Sequence, residues 1–370
     1  MRTMMKLFVM MLVVAVVAPS ARAAFNAGDV RIWVYDSRDT GAGRTAIYRS
    51  NAWPVGGGTT MQTNTLIDKA PGILDPGGMT IFGQHVYMTT KTGNNQIRRY
   101  DLDGKIAPLG LTVLVNGDLS NEAGGFAGIA VNGQAGSVGI YVSDQCPSCP
   151  NDPAGEIRRY NLDGSFNSMF HEIANPRTGG PFGSNPVDKN AGSMTWHNGR
   201  LYVESTNSNG SWGRISVFES DGTFLGNLPG AGLQSPNTGG RLAIRGDGTL
   251  FAMDRGAIRT VRSWKLGTAS DLSDYVDQGA FGEANGGDTL LMQGMSDLDI
   301  DPRTGALIVL ARDGGDNTFQ QFGSLTGDFI QEIARWTGDG ANRMVIIPEP
   351  ATLGLIAVGG MMILRRRRRA

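Results

Sequence analysis

Gln96-Ile97-Arg98-Arg99-Tyr100-Asp101-Leu102-Asp103-Gly104 returns sixty residues later as Glu156-Ile157-Arg158-Arg159-Tyr160-Asn161-Leu162-Asp163-Gly164. A match this close marks an internal repeat. A looser copy follows at Arg214-Ile215-Ser216-Val217-Phe218-Glu219-Ser220-Asp221-Gly222, and a weaker one at Val261-Arg262-Ser263-Trp264-Lys265-Leu266-Gly267. Ahead of each copy stands a short β-branched and aromatic segment ending in polar residues: His85-Val86-Tyr87-Met88, Gly139-Ile140-Tyr141-Val142, Arg200-Leu201-Tyr202-Val203 and Thr249-Leu250-Phe251-Ala252. Ala306-Leu307-Ile308-Val309 and Arg31-Ile32-Trp33-Val34-Tyr35 fit the same place. Such runs between Gly, Asp and Asn clusters read as strands and tight turns.

Six units spaced about 50 to 60 residues apart, each of about four strands, predict an all-β fold: a six-bladed β-propeller. A β-sandwich or a solenoid is the rival reading. Several units are preceded by one further strand, as at Gly128-Ile129-Ala130-Val131, Arg241-Leu242-Ala243-Ile244 and the Ser296, Leu298, Ile300 alternation. The first unit lacks this inner strand, and residues 342–347 are expected to supply it from the other end of the chain. In each unit the Leu-Asp-Gly turn is expected to give the φ > 0 position that closes a hairpin after the outer strand. The order of elements resembles NHL-type and related six-bladed propellers.

Composition agrees with a turn-rich β domain, with 54 glycines in 370 residues and only 18% charged side chains. The net charge of −1 hides an asymmetry, because eight of the 33 basic residues lie at the two ends. Setting those eight aside, the remainder of the chain carries 25 basic against 34 acidic residues. That sign excludes a general nucleic-acid binder, whose affinity comes from neutralising phosphates.

The ends carry their own signals. Arg2 and Lys6 precede an apolar run at 7–18, then Pro19 and Ala21-Arg22-Ala23. These are the parts of a secretory signal helix, with cleavage expected after Ala23 so that the mature chain begins at Ala24. At the other end Pro348-Glu349-Pro350 is followed by an apolar stretch at 351–364 and by Arg365, Arg366, Arg367, Arg368 and Arg369. Together these resemble the PEP-CTERM sorting signal, which implies processing by an exosortase-type enzyme. Fourteen helical residues reach about 21 Å, short of a hydrocarbon core of about 30 Å. The stretch is therefore a marginal transmembrane helix, held with its arginines in the cytoplasm. The expected organisation is a signal peptide over 1–23, a β-propeller over 24–347 and a sorting segment over 348–370. The expected location is the bacterial envelope or beyond it, after transient anchoring in the inner membrane.

Candidate chemistry is sparse. Cys146 and Cys149 form the only Cys-x-x-Cys, in a Pro-rich loop of an exported chain. It reads as a loop-stapling disulfide, with free thiols or a redox pair as rivals. His85, His171 and His197 are isolated, and no Gly-x-Ser-x-Gly elbow, zinc helix or phosphate loop is present. Asp297, Asp299 and Asp301 alternate and share a face. In gluconolactonase propellers, inner-strand carboxylates hold a divalent metal, but that family's other ligands have no match here. The run is read instead as a solvated strand end, and no cofactor is expected. Calcium is the ion that polar turns such as Thr92-Gly93-Asn94-Asn95, Asn207-Ser208-Asn209-Gly210 and Asp313-Gly314-Gly315-Asp316-Asn317 would take.

The resulting expectation is a non-catalytic surface or extracellular-matrix protein whose propeller binds a polysaccharide or another surface protein. The alternative is a secreted hydrolase of the lactonase type with a metal in the central channel.

Overall fold

The computed structural model describes residues 31–347 apart from 40–43, 51–62, 72–75, 84, 91–94, 102–110, 118–124, 146–155, 172–187, 208–211, 231–232, 235–241, 255–259, 282–294, 303, 314–315, 324–328 and 338–340. The signal peptide, Cys146, Cys149 and the sorting segment lie outside the described residues. Residues Val30–Pro348 form one compact unit.

Among the described residues there are six antiparallel sheets. The chain opens with β1 (Arg31–Asp39), β2 (Arg44–Ser50) and β3 (Thr63–Pro71). Five sheets of consecutive strands follow. The first holds β4 (Pro76–Phe82), β5 (His85–Thr90), β6 (Gln96–Asp101) and β7 (Leu111–Asn116). The next holds β8 (Gly125–Asn132), β9 (Gly139–Gln145), β10 (Ile157–Tyr160) and β11 (Phe166–His171). Then come β12 (Asp188–His197), β13 (Arg200–Asn207), β14 (Trp212–Phe218) and β15 (Phe224–Asn227), with β16 (Leu233–Gln234) also against β14. β17 (Ala243–Ile244), β18 (Thr249–Asp254), β19 (Thr260–Lys265) and β20 (Val276–Phe281) form the next sheet. The last is β21 (Asp297–Ile300), β22 (Leu307–Asp313), β23 (Asp316–Phe322) and β24 (Phe329–Thr337). Finally β25 (Ala341–Ile347) pairs with β1, so both ends of the domain share one sheet, as the missing inner strand implied.

The first strand of each sheet touches the first strand of the next, and the series β4, β8, β12, β17, β21, β25 returns to β4. This is the radial arrangement of a β-propeller. The apolar core lies between neighbouring sheets. Tyr141 and Ile157 of one meet Met194, Leu201, Val203 and Phe218 of the next, and Phe251 and Val261 share a cluster with Leu298, Leu307 and Val309. Second strands are covered on both faces, as in β18, where all six residues are buried. Continuous apolar runs such as Leu250-Phe251-Ala252 follow from that double burial.

The Asp-Gly turns close hairpins as expected, but after the third strand rather than the outermost one. A fourth strand follows each, as β7 follows β6 and β11 follows β10. At the two described turns of this kind Asp163 and Asp221 accept the backbone N–H of Ser165 and Thr223, both at 2.9 Å, and Asp247, in the turn between β17 and β18, accepts that of Thr249 in the same way at 3.0 Å. The following glycines have φ of +91°, +92° and +80°. Gly164 and Gly222 are required for a second reason. A Cβ on Gly164 would stand 2.3 Å from Leu114 O on β7, and one on Gly222 2.2 Å from Phe170 O on β11. Each turn is thus pressed against the outer strand of the preceding sheet.

Every pairing between a third and a fourth strand carries a register shift. Bulges twist an outer edge and blunt it against pairing with another chain.

Candidate functional site

The first strands line the axis, and β4, β8 and β12 are bulged there. Register shifts fall at Gly77-Gly78 in β4, Ala127-Gly128 in β8 and Gly192-Ser193 in β12. A bulge frees backbone groups, and second-strand hydroxyls take them up. Gly78 N donates to Thr89 Oγ1 at 2.8 Å and Gly128 N to Ser143 Oγ at 2.7 Å. The Ser143 hydroxyl in turn donates to Gly192 O at 2.9 Å, joining β9 to β12 of the next sheet. These bonds need close backbones. A Cβ on Gly77 would lie 2.0 Å from Phe126 O, and one on Gly128 2.0 Å from Gly192 O.

The aspartate run occupies the same axis on β21 and corrects the sequence reading. Asp297, Asp299 and Asp301 are 0%, 9% and 1% exposed, so they are not a solvated strand end. Asp297 Oδ1 accepts Leu298 N at 2.9 Å, while Oδ2 accepts Met344 N of β25 at 2.7 Å. Asp299 repeats the pattern with Ile300 N and Ile346 N, both at 2.9 Å. Asp301 accepts the Thr304 hydroxyl at 3.1 Å inside its own turn. On the far side of β25, Arg343 is 5% exposed and its Nε donates to Gly77 O at 2.9 Å.

A small, partly open cavity of about 10 Å³ lies at this level, bounded by Gly78, Met79, Gly128, Ile129, Ser193, Met194, Asp297 and Arg343. That is room for about one water molecule. Its lining offers a single carboxylate, already engaged by two backbone amides, beside a guanidinium. Calcium takes six to eight oxygens, so this donor set does not fit a divalent cation. Among the described residues no three His, Cys, Asp or Glu side chains converge as a metal site.

The histidines are not brought together. His85 opens β5, His171 ends β11 and His197 ends β12, in three different sheets. His171 lies 4.9 Å from the Phe218 ring, and burial holds its pKa below the ordinary imidazole value. Burial lowers that of His197 as well. The axial residues overlooked in the sequence are Thr89, Ser143 and Arg343. The first two stand at the same place in the repeat, two residues after the Tyr of Tyr87-Met88-Thr89 and Tyr141-Val142-Ser143, and that equivalence was the available signal.

No helix among the described residues is long and apolar enough to cross a membrane. No family model matches the chain, and no curated protein does. Among solved structures it is similar to the periplasmic gluconolactonase PpgL of Pseudomonas aeruginosa, with a TM-score of 0.52 and 10% identity over 87% of this chain and 99% of that one. It is also similar to a putative 6-phosphogluconolactonase from Bacteroides fragilis, with a TM-score of 0.49 and 12% identity over 88% and 100% of the two chains. The Dos1 propeller aligns at a TM-score of 0.42 and 14% identity, over 81% and 68%. At 10% identity the likeness to PpgL is one of fold alone, and the ring of first strands shows that fold to be a β-propeller.

Proposed function

We propose that the chain is an exported, envelope-sorted protein whose six sheets act as the blades of one closed, non-catalytic propeller serving as a surface or matrix binding component. The observation that carries this reading is the narrowness of the axis at the level of Asp297. Where Gly78, Gly128, Asp297 and Arg343 meet, the space that the described residues bound is about 10 Å³, room for about one water molecule. Export and sorting rest on Ala21, Ala23 and Ala24 at one end and on Pro348, Glu349, Pro350 and the arginines at the other. The partners are an exosortase-type enzyme and a polysaccharide or surface-protein ligand.

Two measurements test the reading. Purified protein assayed on a panel of sugar lactones with added calcium, zinc or manganese should show no turnover. Turnover lost in a folded Asp297→Asn variant would establish the lactonase alternative instead. In cells, replacing Glu349 and its flanking prolines should leave precursor in the inner membrane, and unaltered release would remove the sorting assignment.

A further inference from the structure

β25 is the strand that completes the ring, and it is gripped on each side. Within its sheet it pairs with β1 from Arg31↔Ile347 to Asp36↔Ala341. On its other edge, Met344 N and Ile346 N give their hydrogens to Asp297 and Asp299 of β21. Both contacts span the same 47 residues, so the two strands run in the same direction with two carboxylates standing in for a ladder. Arg343 Nε then ties β25 forward to β4 at Gly77 O. Carboxylate to N–H bonds are charge-assisted and stronger than neutral ones.

We propose that Asp297 and Asp299 are a clasp that locks the C-terminal strand into the ring, so that the propeller stays closed up to Ile347 whatever becomes of the chain beyond it. The alternate aspartates of β21 carry out the closure and hold no ligand. This inference is independent of the sorting reading, because it concerns only residues inside the domain.

Hydrogen exchange of the full chain tests it, followed by mass spectrometry at residue resolution over 341–347. In the unaltered protein the amides of Met344 and Ile346 should exchange as slowly as those of β18, a fully covered strand. Exchange of those two amides within seconds would overturn the clasp without any variant. In the Asp297→Asn, Asp299→Asn double variant, exchange across 341–347 should quicken by about tenfold or more while β9, β13 and β18 keep their protection. The same double variant should become sensitive to protease within 338–347. Asp163→Asn, whose carboxylate serves an exposed turn of another sheet, should leave both readouts unchanged. Unchanged exchange in the folded double variant, or acceleration spread evenly over all sheets, would refute the clasp. If the double variant does not fold, single Asp299→Asn must still quicken Ile346 more than Met344, and equal rates for the two would refute it.

Discussion

Arg200 Nη1 lies 2.7 Å from the Tyr275 hydroxyl, joining the first residue of β13 to the segment that leads into β20 of the neighbouring sheet. The guanidinium also donates to Ala269 O at 3.0 Å, Thr268 O at 2.8 Å and Glu219 Oε1 at 3.3 Å. Tyr275 Oη stands 3.0 Å from Tyr202 Oη, and burial, with that hydrogen bond, pushes the Tyr202 hydroxyl well above the ordinary phenol range. A planar fork of donors suits four acceptors at fixed angles, which an ammonium would not reach together.

Arg200→Met should therefore cost about 2 kcal/mol, mostly through the buried Tyr275 hydroxyl that it leaves without this donor. Tyr275→Phe should cost about 1 kcal/mol. Urea denaturation of both variants and of the double variant gives the coupling, and additive effects would contradict the network.

The glycines of the hairpin turns should separate into two classes. Gly83 has φ +61° with open space around its Cβ position, so Gly83→Ala should cost about 1 kcal/mol of backbone strain. Gly164→Ala adds a collision with Leu114 O at 2.3 Å and should cost about 3 kcal/mol or more. Equal midpoints in a denaturant titration would contradict the packing of that turn on β7.

Ser143 is the hydroxyl that satisfies one bulge and bonds to the next. Ser143→Ala should lose about 2 kcal/mol, since Gly128 N and Gly192 O are left without it in a buried place. Ser143→Thr, which keeps the hydroxyl, should lose less. Thermal melts of the two variants rank them directly.

Acid should weaken the fold through the turn aspartates. Backbone N–H donation from Ser165 and Thr223 holds Asp163 and Asp221 below the usual carboxylate range, and the Arg245 guanidinium does the same for Asp247. A carboxyl whose folded pKa is depressed contributes stability above its unfolded pKa of about 3.9 and loses it as pH falls further. His171 acts at higher pH. Its lowered pKa favours the neutral ring in the fold, so its contribution is complete above about 6.5 and declines as pH drops below that. Melting temperature followed from pH 8 to 2 should fall in two stages. His171→Phe should shrink the upper stage, to which His197 also contributes, and Asp247→Asn should shrink the lower one.

The repeat was legible because hairpin chemistry is local. Leu-Asp-Gly needs its aspartate two residues before the N–H that it accepts and its glycine at φ > 0, so those letters recur wherever the turn does. Second strands were legible because burial on both faces leaves an unbroken run of apolar letters in each, as in Val86-Tyr87-Met88, Ile140-Tyr141-Val142 and Leu250-Phe251-Ala252. The fourth strands were not, because one face meets solvent. Phe166 and Val276 are 53% and 54% exposed at the starts of β11 and β20, and the intervening residues follow no shared pattern. The axial aspartates misled for a related reason. Three acidic residues in alternation look solvated by composition, whereas the partners of Asp297 and Asp299 are backbone amides, which carry no letter of their own in a sequence.

Because β1 finds its inner neighbour only in β25, the chain meets an order-of-assembly problem as it leaves the ribosome. β1, β2 and β3 emerge first but wait with an uncovered edge until the last strand arrives. Ring closure is then the contact of longest separation, the slowest kind to form. Until it forms, the first three strands are the part of the protein most open to pairing with a neighbouring copy, and the concentration of partly folded chains sets how often that happens.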